Sequence, residues 1–188
     1  MLRLLVWLLV LAALAVVADW AWHQPFMDRP RTLWELSCMP PPVAVAMPVA
    51  GVEARAVADT FGAPRGADRS HEGVDIFATR GTDVVSATLG VVSSVREGGL
   101  GGRQVWVLGP GGQRHYYAHL DDWAPGLAAG DVVYPGSVLG SVGDTGNARG
   151  TPPHLHYGIY GAGGAIDPLP LLRAGTEPGA AAKDTRAP

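Results

Sequence analysis

Between Val43 and Arg173, glycine, proline, asparagine and aspartate cut the chain into short runs rich in β-branched and aromatic residues. The runs are DVVSA, GVVSSV, RQVWVL, RHYYAHL, DVVYPGSVLGSV and HLHYGIY. Turn sequences separate them, among them Gly98-Gly99-Leu100-Gly101-Gly102, Pro110-Gly111-Gly112 and Asp144-Thr145-Gly146-Asn147. This pattern predicts short strands joined by tight turns, and the 26 glycines and 16 prolines disfavour long helices. Residues 43–173 therefore read as one compact all-β domain, an antiparallel sheet or sandwich.

The N-terminus has the opposite character. MLRLLVWLLVLAALAVVADWAW holds one early positive charge, Arg3, and an unbroken apolar run from Leu4 to Ala18. Residues 1–18 read as a signal peptide or an N-terminal membrane anchor, since a full span needs about 20 apolar residues. Ala13-Leu14-Ala15 and Val16-Val17-Ala18 resemble cleavage sites, whereas Trp20 and Trp22 suit the headgroup level of a retained anchor. Either way the chain is expected to be exported. Residues 19–42 show no helical or strand period and read as a linker or a segment draped on the domain. Fully extended, that stretch would reach at most about 80 Å. Residues 174–188 are small and polar and read as a disordered tail.

Several functions are excluded early. The net charge of −3 is spread along the chain, without the basic stripe that a nucleic-acid partner requires. Hairpins such as GDVVYPGSVLGSVG suggest a biotinyl or lipoyl carrier, but a carrier needs a lysine at its hairpin tip. The sole lysine is Lys183, in the tail. Cys38 is the single cysteine, so no intrachain disulfide forms, and it lies too far beyond the apolar run for lipid anchoring.

The six histidines bear the chemistry. His23 falls in the linker. His154 and His156, two apart in a strand, project to one face while Leu155 points to the other. That pair alone suits a polar strand face as well as a metal site. RSHEGVDIFA changes the balance. It begins like the helical zinc motif H-E-x-x-H, but Asp75 stands where the second histidine should be. Gly73, Val74 and Ile76 also disfavour a helix. His71, Asp75 and one imidazole of the HLH pair together have the composition of a catalytic zinc site with an open fourth position.

With these residues in place, the chain resembles the lysostaphin-type, LytM-like zinc metalloendopeptidases that cut the peptides of bacterial peptidoglycan. The resemblance runs from about Val49 to Leu172. It takes in FGAPR, HEGVDIFATRGTDVVSATLGVV, YYAHL, GDVVYPGSVLGSVGDTG, HLHY and IDPLPLL. It implies the duplicated-hybrid-motif type of β fold, one Zn2+ per chain, and peptidoglycan peptides as partners in the cell envelope. It further implies that His71, Asp75 and His156 hold the zinc. His119 and His154 would then stand beside the metal-bound water as general base and oxyanion stabiliser, and Glu72 would be a solvated loop residue. His115 reads as an exposed strand position, and Trp106, Tyr116, Tyr117 and Trp123 as core or rim. The family often has glutamate two residues after H-x-H, where this chain has Gly158, and Thr151-Pro152-Pro153 is a bulky approach to the pair. The alternative is a catalytically inactive relative that binds cell wall or activates another hydrolase. Such relatives lack some site residues, and none is missing here.

Overall fold

The computed structural model describes residues 2–65 and 69–175. The apolar run forms α1 (Leu2–Trp22), which continues through Trp20 and Trp22. At 1.5 Å per residue α1 is about 31 Å long, close to the thickness of a bilayer's hydrocarbon core. It is long and apolar enough to cross a membrane, and none of its residues is buried.

A short 3-10 turn, Pro25–Met27, leads into α2 (Asp28–Cys38). This helix is unexpected, because DRPRTLWELSC has little apolar period. Its proline, Pro30, falls in the first turn, where the missing N–H costs no intrahelical bond. Asp28 lies at the positive end of the helix dipole. Thr32 and Leu36, one turn apart, are buried against the domain. The stretch read as lacking regular structure is thus largely helical. The expected tail lies outside the described residues from 176 onward.

The strands are β1 (Val74–Phe77), β2 (Asp83–Val85), β3 (Gly90–Gly98), β4 (Gly102–Leu108) and β5 (Arg114–Trp123). After them come β6 (Val132–Val133), β7 (Val138–Val142), β8 (His154–Gly161) and β9 (Gly164–Ile166). All pairings are antiparallel, in the order β1-β8-β5-β4-β3-β6. β2 pairs with β7, which also pairs with β5, and β9 pairs with β8. The fold is the expected all-β, antiparallel one. Each of the six β-rich runs contains a strand, and Pro135-Gly136 divides one of them into β6 and β7. The sequence reading did not single out β1 and β9, which lie in polar or glycine-rich surroundings.

Strand alternation separates core from site. Leu155, Tyr157 and Ile159 of β8 join Val74 and Ile76 of β1 and Tyr117 and Leu120 of β5 in the core. His154 and His156 face the other way, as the two-residue period requires. The domain closes with α3 (Pro168–Ala174). Asp167 caps it by accepting from the Leu169 N–H at 2.9 Å, Pro168 starts it, and Leu169 and Leu172 enter the core.

Candidate metal centre

Strand register brings the two sequence motifs together. In the β1–β8 pair, Asp75 lies directly opposite His156 and Phe77 opposite His154. His71 reaches the same point from the loop before β1. That approach needs Gly73, since a Cβ there would lie 2.5 Å from the Tyr157 carbonyl and 2.8 Å from the His156 ring. The glycine between the histidine and the aspartate is therefore a close-packing residue.

Three donor atoms converge. His71 Nε2 lies 2.8 Å from His156 Nδ1 and 3.0 Å from Asp75 Oδ1, and the latter two are 3.2 Å apart. Four-coordinate zinc with bonds of about 2.0–2.1 Å would separate such atoms by about 3.3 Å, so the triangle has the right size and composition. Cysteine is absent from it, and the side opposite the triangle opens into a groove of about 510 Å³.

The surroundings prepare these atoms to act as ligands. His71 Nδ1–H donates to the Thr60 carbonyl at 2.7 Å, which leaves Nε2 with its lone pair. Thr60 Oγ1 also accepts from the Asp75 N–H at 3.2 Å. Burial would raise the Asp75 pKa, but its close interactions with His156, His71 and the Arg65 guanidinium outweigh it. The carboxyl is held well below the usual range. Burial pushes the His156 pKa down, against the opposing pull of Asp75.

His119 and His154 complete the cluster, with ring centroids 5.1 Å apart. Both donate Nδ1–H to a backbone carbonyl at 2.8 Å, His119 to Thr145 and His154 to Pro152. Each is therefore left with Nε2 for chemistry. His119 reaches this position through an irregularity. Ala118 lies opposite His156 and lines the groove, so in a regular strand residue 119 would point into the core. Instead the β5 register against β4 shifts between Tyr117 and Leu120, and His119 takes φ 64°, the one positive φ at a non-glycine among the described residues. A left-handed residue costs about 1–2 kcal/mol, and a bulge that re-aims a side chain is a common use of such strain.

Thr145 secures the bulge. Its Oγ1 donates to the Leu120 carbonyl at 2.9 Å and accepts from the Arg103 N–H at 2.9 Å, while its own carbonyl holds His119. Gly102 fits against this loop with no room for a Cβ, which would fall 2.3 Å from the Gly146 nitrogen. Burial first, with minor contributions from the neighbouring imidazoles, lowers the His119 pKa to about 4.

All five residues singled out in the sequence thus lie in one groove. The sequence reading passed over Thr60, Arg65 and Thr145. Arg65 belongs to FGAPR, while Thr60 and Thr145 act through contacts that leave no local pattern. Glu72 is exposed on the groove wall, where it interacts with Tyr160. His115 differs from expectation. It is fully buried, because in the actual alternation of β5 it shares the core-facing side with Tyr117.

Comparison with known proteins is consistent with this geometry. Residues 69–168 match the model of Peptidase family M23. The chain is 42% identical over 126 residues to the L-Ala–D-Glu endopeptidase of Bacillus subtilis (strain 168), covering 61% of this chain and 39% of that protein. It spans well under half the length of the curated relatives it matches. Among solved structures, it is similar to the catalytic domain of the antimicrobial peptidase lysostaphin from Staphylococcus simulans. Identity there is 30%, the TM-score is 0.56, and 62% of this chain and 91% of the other are covered. A zinc containing peptidase from Vibrio cholerae aligns at 26% identity and TM-score 0.53, over 60% of this chain and 35% of that one.

Proposed function

The chain belongs to peptidase family M23, and we propose that it is a zinc metalloendopeptidase that hydrolyses peptide bonds of peptidoglycan stem peptides or cross-links. The observation that carries this reading is the convergence of His71 Nε2, Asp75 Oδ1 and His156 Nδ1 within 2.8–3.2 Å beside two further histidines. Two imidazoles and one carboxylate suit zinc better than calcium or magnesium, which prefer all-oxygen shells. One Zn2+ per chain would be held by those three residues. Bound there, the ion would supply Lewis acidity toward a water ligand, lowering its pKa toward about 7, and toward the scissile carbonyl.

The protein's own groups handle the protons. As water adds to the scissile carbonyl carbon, its proton passes to Nε2 of His119 or His154, the ring atom that the backbone bonds leave free. Once protonated, that imidazole delivers the proton to the leaving amine nitrogen as the C–N bond breaks. The other ring, beside it in the same groove, would stabilise the oxyanion. A carboxylate product and a free amine result. Arg65 and Thr60 keep Asp75 and His71 oriented.

The substrate class is supported by the Bacillus relative, an L-Ala–D-Glu endopeptidase. We place the chain in the cell envelope, with α1 as export signal or as anchor in the inner membrane. With all five site residues together, catalysis is favoured over an inactive wall-binding role. Mass spectrometry of products from defined peptidoglycan provides the test. New amino termini in the stem or cross-link are expected, lost on chelation and restored by zinc. Intact peptides at every zinc concentration would leave the inactive reading.

A further inference from the structure

The connection between α1 and the domain is built as a joint. Arg31 donates to the Trp22 carbonyl at 2.9 Å and pairs with Asp28 at 2.5 Å, and Gln24 donates to the Trp20 carbonyl at 3.1 Å. From there α2 packs on the domain through Thr32 and Leu36. Beyond it the Gly111 N–H donates to the Met39 carbonyl, and Pro41 fills the space beside Gly111. The last residue of α1 is thus connected to the sheet through hydrogen-bonded and packed structure.

Immediately beside this joint the surface is apolar. Phe26, Tyr134 and Val138 are exposed by 67%, 59% and 45%, and they line one shallow groove with Pro25 and Arg29. The other large apolar side chains exposed outside α1, Trp34, Val43, Phe77 and Leu100, do not line this groove. Phe26, Tyr134 and Val138 do, and Phe26 lies four residues beyond Trp22, the end of a helix long and apolar enough to span a membrane. Arg29 shares the groove with Asp28, which pairs with Arg31, and with Asp131, and no ion pair holds Arg29 among the described residues. A tyrosine with its polar edge beside phenylalanine and valine, within reach of an arginine, suits the headgroup zone of a bilayer.

We infer that the groove formed by Phe26, Tyr134 and Val138 docks on the lipid surface into which α1 inserts, so the domain rests on the membrane in a fixed orientation. This rests on reading α1 as a retained anchor. The occupant is lipid because the patch continues the aromatic end of α1. The consequence for catalysis is a set distance. Gly90, at one end of β3, pairs with Val133 beside the patch, whereas Leu100 and Gly101, just past the other end, line the catalytic groove. The length of β3 from Gly90 to Glu97 is about 23 Å. The enzyme would therefore act on peptides a short, fixed height above the bilayer.

Site-directed spin labelling of the full chain in phosphatidylethanolamine/phosphatidylglycerol vesicles tests this. In a Cys38→Ser background, labels are placed singly at Val10→Cys, Tyr134→Cys and Glu97→Cys. Collision rates are then measured with membrane-dissolved oxygen and with an aqueous nickel chelate. Docking predicts that positions 10 and 134 favour oxygen and that position 97 favours nickel, by several-fold in each case. If position 10 is in lipid but 134 is as accessible to nickel as 97, the anchor stands and the docking inference falls. If position 10 is itself aqueous, the anchor reading fails and takes the inference with it. Spin–spin broadening at 134 that disappears on dilution with unlabelled protein would assign the patch to a second copy of the chain, overturning lipid as its occupant.

Discussion

The two halves of β5 hold two histidines in contrasting settings. His115 and His119 are four residues apart, both are buried, and burial pushes both pKa values down to about 4. In the regular half of the strand, His115 faces the core. Its Nδ1 lies 2.8 Å from the Tyr157 hydroxyl, and its Nε2 has no hydrogen-bond partner among the described residues. In the irregular half, the bulge turns His119 out to the groove and Thr145 fixes its ring. Neither residue type nor titration distinguishes the two rings. The backbone between them does, and it turns one ring into the core and the other to the groove.

The largest expected effect breaks that comparison most sharply. His119→Ala should lower turnover by about 10²- to 10⁴-fold, the usual worth of a positioned acid–base group, with melting and zinc content little changed. His115→Leu should do the reverse. It should keep the activity of the folded protein within a few-fold while stability falls by about 1 kcal/mol through loss of the His115–Tyr157 hydrogen bond. Paired kinetics and denaturant melts check both, and equal loss of activity in the two variants would erase the distinction.

Next in size is a pH effect. A histidine whose folded pKa lies below its unfolded value binds its proton more readily when unfolded, so it contributes stability that is full above about 6.5 and is lost as pH falls toward 4. His115 should account for about 3 kcal/mol over that window. In His115→Leu, the loss of stability between pH 6.5 and 4 should be correspondingly shallower, as read from urea melts across the range. An unchanged slope would show that His115 is not the group being titrated.

The smallest effect concerns the bulge. Thr145→Val removes the hydroxyl that links the Leu120 carbonyl to the Arg103 N–H. A drop of about tenfold in kcat with little change in KM is expected, and Thr145→Ser should recover most of it. A rise in KM alone would mean that Thr145 serves substrate binding and not His119.

This contrast also shows what the sequence could convey. Alternation and turn residues made the sheet legible, and they placed His154 and His156 on one face with Leu155 on the other. The site was legible because its residues occur in short motifs, HEGVD, YYAHL and HLHY, whose order supports a family resemblance. A bulge is set by contacts far away in sequence, here Thr145 and Gly102, so regular alternation misplaced His115 as exposed. The helix α2 escaped for a related reason. Its stability comes from burying Thr32 and Leu36 against the domain, and its own composition gives little sign of that. Thr60 likewise acts through its position beside His71 and Asp75, which only the folded chain reveals.

The central claim is that His71, Asp75 and His156 hold one zinc ion on which peptide-bond hydrolysis depends. The most direct measurement titrates zinc into metal-stripped full-length protein while following release of new amino termini from peptidoglycan. Activity should rise linearly and saturate at one zinc per chain, and His156→Ala should neither retain zinc nor gain activity. Full hydrolysis by the zinc-free protein, or a silent protein with one zinc bound at these residues, would contradict the claim.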